Sequence, residues 1–311
     1  MASDYHINDT THYHREGLQT LGWELTVTNA LEGASSPCRS VLEKPGSFGE
    51  LLFDHLSKLI PLNTLSSVAE IGGGYGFLMR DFLRKGSFTK VAMIDLSPVL
   101  LNKQRETLKD CGVSFLENDF FYIGASFYNA YDLVILNEIV GDFPTICDIS
   151  PDSMASPHDD PFTEKISRFF HNYALPVPER TFNLNIGAME AVEKLCSAGV
   201  RYIYLSEHSC EATVPEELKH KITITSAMNP ERIPLMGHCE YTIRFSYLVR
   251  IAEQLGYRVL RGQYRDFISV NYSGRVNFIL TSHSQKDDHE IIRQFIEDLF
   301  KYEYVVLMRQ D

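Results

Sequence analysis

The chain has 311 residues, 44% of them hydrophobic and 23% charged. This is ordinary globular usage, which excludes disordered, collagenous and low-complexity classes, and a core of this size needs no disulfide staple. With 29 Lys and Arg against 41 Asp and Glu, the formal charge is −12. That balance argues against a broad nucleic-acid-binding face and against a polybasic membrane patch.

The six cysteines, at 38, 111, 147, 196, 210 and 239, are too dispersed for a disulfide framework or a metal knuckle. They read as reduced thiols of a cytoplasmic protein. Met1 to Gly17 is polar and His-rich, unlike a secretory signal. No run approaches the roughly 20 apolar residues of a membrane span. His6, His12 and His14 lack the i, i+4 spacing of a helical zinc pair, so they read as a polar tail and no metal site is expected.

Residues 1–64 carry no strand series and read as a helical or irregular extension. Trp23 to Leu31 is mixed, and Ala34 to Gly49 is rich in Ser, Pro and Gly. Phe48, Leu51, Leu52, His55 and Leu59 then fall near helical spacing and predict a helix over the sheet that follows. Residues 65–311 read as one domain with an insertion at 141–186.

From Ser67 strand and helix signals alternate. Ser67–Ile71 is a short apolar strand ended by Gly72-Gly73-Gly74-Tyr75-Gly76, and Phe77–Leu83 is helical. Lys90–Ile94 is the next strand and ends at Asp95. Ser97-Pro98 is a helix cap with proline at the first helical position. Val113–Leu116 and Tyr131–Leu136 are strands three and four. Residues 141–186 hold six prolines, at 144, 151, 157, 161, 176 and 178, around a short helix at Ile166–Tyr173. A stretch so punctuated suggests a substrate cover or binding loop. Ala188 to Leu195 is a helix closed by Gly199, Tyr202–Leu205 a fifth strand, and Phe245 to Leu255 a helix closed by Gly256. Tyr257–Leu260 and Val276–Thr281 read as the last two strands, and Ile292 to Leu299 as a C-terminal amphipathic helix. Repeated βα units imply a mostly parallel seven-stranded sheet with helices on both faces, and a ligand beyond the strands' carboxyl ends.

The glycine turn after strand one is the strongest local signal. It is not a dinucleotide fingerprint, because Phe77 stands where the third glycine is needed, and no Gly-Lys-Ser/Thr follows. Nicotinamide chemistry and a nucleotide P-loop are thereby disfavoured. Asp95, at the end of strand two, can accept two hydrogen bonds from a ribose diol. Asn118-Asp119-Phe120, after strand three, can accept from an adenine amino group and cover its ring.

Three acids or amides at three successive strand ends resemble the S-adenosyl-methionine site of class I methyltransferases, over about Ser67 to Thr281. That resemblance implies a Rossmann-like α/β fold. It places Gly72, Gly74 and Gly76 along the methionine moiety with Glu70 below, Asp95 with Leu96 at the ribose, and Asn118, Asp119 and Phe120 at the adenine.

A narrower resemblance covers roughly residues 46 to 256, apart from the proline-rich insertion. Phe48-Gly49-Glu50-Leu51-Leu52, Ser97-Pro98 with Leu101 and Gln104, Asn137-Glu138 with Pro144, and Gly237, Glu240 and Thr242 look like the MidA-like methyltransferases. That is the family of the mitochondrial complex I assembly factor that methylates a protein arginine. Its members read Asn-Glu-x-x-Asp-Ala-x-Pro after strand four. Here Gly141 stands at the second acid and the aspartate is displaced to Asp142. The family's Asp-Tyr-Gly after strand five is Glu207-His208-Ser209.

Within this resemblance Asn137 belongs to the cofactor site and Glu138 to catalysis, where a carboxylate can orient a guanidinium through a bidentate pair. Base methylation of nucleic acid is not expected, since Asn137-Glu138-Ile139-Val140 lacks the Pro-Pro-aromatic of amino-methyltransferases acting on bases. His208, or His238, is the rival group, as general base for a hydroxyl acceptor. The expected function is methyl transfer to a protein side chain. Its alternatives are a small-molecule N- or O-methyltransferase and a cofactor-binding assembly protein without turnover.

Overall fold

The computed structural model describes residues 5–17, 26–154, 161–282 and 284–310. Trp23 and Pro157 lie outside the described residues. Five of the strands expected from the sequence lie side by side in one sheet: β1 (Ser67–Ile71), β2 (Lys90–Asp95), β3 (Ser114–Glu117), β4 (Leu133–Asn137) and β5 (Tyr202–His208). All five run parallel. Every residue of β1 and β4 is buried, which is why neither alternates apolar with exposed polar positions; the polar Glu70 and Asn137 sit near the strands' carboxyl ends.

Two further strands complete the sheet, β6 (Tyr257–Gln263) and β7 (Tyr302–Arg309), in the order β6-β7-β5-β4-β1-β2-β3; β7 alone is reversed, antiparallel to both of its neighbours. Here the sequence expectation is corrected. Val276–Thr281 lies in a helix, Gly274–Thr281, with Val276, Ile279 and Leu280 buried. Those three positions have helical spacing, and a short apolar run cannot be assigned by composition alone. The seventh strand is instead Tyr302–Arg309. It follows the C-terminal helix, Asp287–Lys301, without a turn signal, because Tyr302 serves as that helix's C-cap.

Helices α1 (Phe48–Leu59), α2 (Phe77–Lys85) and α3 (Pro98–Thr107) precede or link the first strands. Ser47 and Glu50 cap α1 reciprocally, and Ser47 also donates to Asp81 of α2 at 2.6 Å. A Cβ at Gly49 would stand 2.8 Å from that of Asp81, so the glycine permits the close α1–α2 approach. The Phe48-Gly49-Glu50 signature is thus a packing and capping device.

Residues 141–186 contain more regular structure than their proline content suggests. Thr145–Ile149 pairs with Phe182–Leu184 on one side and with His6–Asn8, from the N-terminus, on the other. Helix α4 (Pro161–Asn172) buries Ile166, Phe169 and Phe170. These side chains join the core on one face of the sheet, while the other face packs against α1 and the C-terminal helices. None of the helices among the described residues is long and apolar enough to cross a membrane.

Candidate active site

Chain order places the cavity. After β1 the chain moves outward through β2 and β3, then returns to β4 on the other side of β1. The loops leaving β1 and β4 therefore diverge, which opens a crevice beyond the carboxyl ends. Register levels those ends: Ile71 pairs with Ile94 and Leu136, Asp95 with Glu117, and Asn137 with Ser206. One cavity there is lined by Glu70, Gly72, Gly74, Asp95, Leu96, Asn118, Asp119, Phe120, Asn137, Glu138 and His208. Of the residues expected in the site, Gly76 is absent from the wall. Its φ of +80° serves as the left-handed N-cap of α2, where it sits against α3.

The glycine turn has two different requirements. At Gly72 (φ +64°) a Cβ would stand 2.5 Å from Ile139, so the residue lets the loops after β1 and β4 approach. At Gly74 (φ +51°) a Cβ would meet nothing within 4 Å, and the open space belongs to the cavity. Asp95 accepts from the Ser97 backbone N–H at 2.9 Å and from Gln104 at 2.7 Å. Burial nevertheless pushes its pKa up to about 6. Burial, with the Asp95 charge adding to it, pushes Glu70 up to about 8. Asp119 caps the turn that follows it, accepting from Phe121 N–H at 2.9 Å, and Phe120 stacks 5.6 Å from Phe143.

At the other end, Asn137 is fixed by three side chains. Its Oδ1 accepts from Ser206 at 3.0 Å and from Tyr264 at 3.2 Å, while its Nδ2 donates to Thr28 at 3.1 Å. Phe48 packs on Tyr264 at 5.1 Å, so the N-terminal signature supports the site through one ring. Glu138 has left-handed backbone, φ +53°, which is uncommon for a residue with a side chain. Its Oε1 is buried with no hydrogen-bond partner among the described residues. Burial, opposed by contacts with Thr28 and Thr26, pushes its pKa up to about 7. His208 also faces the cavity, with its ring 3.8 Å from that of Tyr302 and Nε2 3.7 Å from Asp298. His238 does not line the cavity, although Asp142 and Glu240 beside it do.

The glycine at 141 has a structural reason. Gly141 N–H donates to Glu207 Oε2 at 3.1 Å. A Cβ at 141 would lie 3.2 Å from that carboxyl group and from the Tyr241 carbonyl oxygen. A carboxylate could not be added there without facing Glu207. Burial and the neighbouring Glu240 raise the Glu207 pKa.

Several groups at the site escaped sequence reasoning. Thr10, Thr11 and His14 form part of the wall, as do Thr26, Thr28 and Asn29, all from the segment read as an extension. His14 is no solvated tail residue: its side chain is 14% exposed and Nε2 is 2.9 Å from Asp142. Burial would lower its pKa and raise that of Asp142, but the contact between them reverses both directions. No periodic signal marks these positions, because the arm is held by contacts distant in sequence.

Comparison with solved structures supports this architecture. An uncharacterized superfamily protein of Burkholderia thailandensis matches with a TM-score of 0.52, at 15% sequence identity over 91% of this chain and 86% of that one. A second member of that superfamily from the same organism, solved bound to S-adenosyl-homocysteine, matches with a TM-score of 0.51. Its identity is 15%, over 84% of this chain and 76% of that one. The chain has the class I methyltransferase fold. No family model and no curated protein sequence matches it.

Proposed function

We propose that the protein is an S-adenosyl-methionine-dependent methyltransferase of MidA-like type. The observation that carries this reading is the joint placement of Gly74 and Asp95 on one cavity wall, tied by Gln104. The residues fit the cofactor. Gly74 leaves room for close backbone approach, the Asp95 carboxyl can accept from a ribose diol, and Asp119 with Phe120 offers an acceptor and an apolar cover for adenine. Gly72 borders the methionine end above Glu70, and Gly76 acts through the turn rather than by contact.

When bound, the cofactor supplies a methyl group already activated by its sulfonium. The chain then needs to bind an acceptor in line with that bond and exclude water. Glu138, at the end of β4, is assigned to orient the acceptor, with Asn137 fixed beneath it. The acceptor end carries carboxyl groups from Glu138, Asp142, Glu207 and Glu240. Burial keeps Glu138 and Glu207 reluctant to ionise, and a cationic acceptor would reverse that by pairing with the charge. This favours a guanidinium, such as a protein arginine, over a neutral group.

A small-molecule acceptor is the second reading, because segments 10–14 and 26–29 wall the cavity and narrow the approach of a folded protein. In that reading His208 is the general base for a hydroxyl. Incubating the protein with methyl-labelled cofactor and a lysate separates the two readings. Label in a protein band, removed by Glu138→Gln, supports the first. Label confined to the small-molecule fraction supports the second. Binding of S-adenosyl-homocysteine without any transfer supports a non-catalytic assembly role.

A further inference from the structure

The N-terminal arm is fastened on both sides of Asp142. Strand His6–Asn8 pairs with Thr145–Ile149, Asn8 Nδ2 donates to the Cys239 carbonyl at 2.8 Å, and Thr10 donates to the Asp142 carbonyl at 2.8 Å. This fastening delivers His14 Nε2 to 2.9 Å from Asp142 Oδ1, while His238 Nε2 stands 3.4 Å from the same oxygen. The three ligand atoms lie within 4.8 Å of one another. The His238 side chain is 4% exposed, and its ring stacks on Tyr13 at a centroid distance of 4.1 Å. Gly237, with φ +92°, permits that stacking, since a Cβ there would lie 2.8 Å from the Tyr13 ring.

These atoms are in ion-pair contact without forming aligned hydrogen bonds. His14 Nε2, Asp142 Oδ1 and His238 Nε2 are buried, and none has a hydrogen-bond partner among the described residues. Buried ring nitrogens this near a carboxylate oxygen, without a hydrogen bond to it, have lone pairs available to a metal ion. We propose that His14, Asp142 and His238 bind a divalent transition-metal ion. Metal bonds of about 2.0–2.1 Å set ligand atoms about 2.9 Å apart at right angles and about 3.4 Å apart at tetrahedral angles. The two Asp142 contacts, 2.9 and 3.4 Å, match those spacings. Two imidazoles and one carboxylate suit zinc, manganese, iron or cobalt better than magnesium or calcium, which favour all-oxygen sets.

Glu240 Oε1 is 3.6 Å from His238 Nε2. Three protein ligands leave further positions for water or for an oxygen of a bound molecule. His14 and Asp142 line the cavity, so such a position opens toward its acceptor end. The site needs neither cofactor nor acceptor to form, and its test is separate from that of methyl transfer.

The experiment uses the full chain, stripped with EDTA, desalted and titrated with Co²⁺ at neutral pH, followed by visible absorption and calorimetry. One equivalent should bind with a visible band, and Zn²⁺ should displace it. His238→Ala and Asp142→Asn should weaken binding by more than about 100-fold, beyond the usual effect of removing a supporting group around a metal. His14→Gln, on the arm outside the central sheet, keeps the test decisive if those two variants do not fold, and should show the same loss. Absence of binding by the unmodified chain at millimolar Co²⁺ would overturn the proposal. So would one-equivalent binding that survives all three substitutions. Either result would make the cluster an ion-paired anchor for the arm.

Discussion

The side-chain amide of Gln104 donates to Asp95 Oδ2 at 2.7 Å, and the same nitrogen reaches the Gly74 carbonyl at 3.1 Å. One buried group therefore joins the acid after β2 to the glycine turn after β1. Removing the acid should weaken S-adenosyl-homocysteine binding in Asp95→Ala by about 1.5–3 kcal/mol, roughly 10- to 150-fold. Gln104→Leu removes the brace but keeps the acid, and should cost about 1–1.5 kcal/mol. Calorimetry on the folded variants checks both. Unchanged affinity in Asp95→Ala would remove the ribose assignment.

Affinity for S-adenosyl-homocysteine should depend on pH through Asp95. Its pKa is pushed up to about 6 by burial, so the acceptor form is depleted below that pH. A ligand that donates to the carboxylate prefers the deprotonated form, so affinity rises with pH and levels off above 7. With about a tenth of the site deprotonated at pH 5, the apparent Kd there should be about tenfold weaker than at pH 7.5. Asp95→Asn should flatten this part of the profile.

Glu138→Gln should separate function from stability. Activity on a guanidinium acceptor should fall by roughly 2–5 kcal/mol in kcat/KM, while cofactor affinity changes by less than about 0.5 kcal/mol. The stability effect has the opposite sign. The folded pKa, about 7, lies above the ordinary value of 4.5. The fold therefore binds the extra proton, and wild-type stability declines between those pH values and is constant above them. At pH 8 the ligand-free Gln variant should be more stable than wild type by about 1–3 kcal/mol, a common trade at functional sites. Thermal melts at pH 5 and pH 8 measure it, with the difference shrinking at the lower pH.

Placing an acid at position 141, as the MidA-like pattern would have it, should harm the protein. Gly141→Asp puts a carboxylate against Glu207, whose oxygen would be 3.2 Å from the new Cβ. A loss of about 1–3 kcal/mol is expected from crowding and from burying a second carboxyl group beside Glu207, with Gly141→Ala costing less. Equal melting temperatures for the two variants would show that the added carboxyl group plays no part.

Much of the crevice wall at the carboxyl ends of β1 to β4 was legible in the sequence because its signals are local. Each of β1 to β4 carries its own apolar run, and the residue that matters follows that run directly: Gly72, Asp95, Asn118, Glu138. Parallel strands set side by side bring such residues to one edge regardless of what joins them. The wall supplied by the N-terminal arm was not legible. His14, Asp142 and His238 meet because the strand His6–Asn8 pairs with Thr145–Ile149 and Gly237 makes room for Tyr13, and no local spacing encodes contacts between segments so far apart. The same holds for β7. Its residues are mostly buried and follow a helix without a break, so only its antiparallel pairing between β5 and β6 identifies it as a strand. The sequence alone determined the order of the parallel strands' chemistry, because hydrophobic periodicity and turn residues act over a few positions. Tertiary structure decided what walls the cavity, because burial and long-range pairing choose among segments whose local patterns are equally permissive.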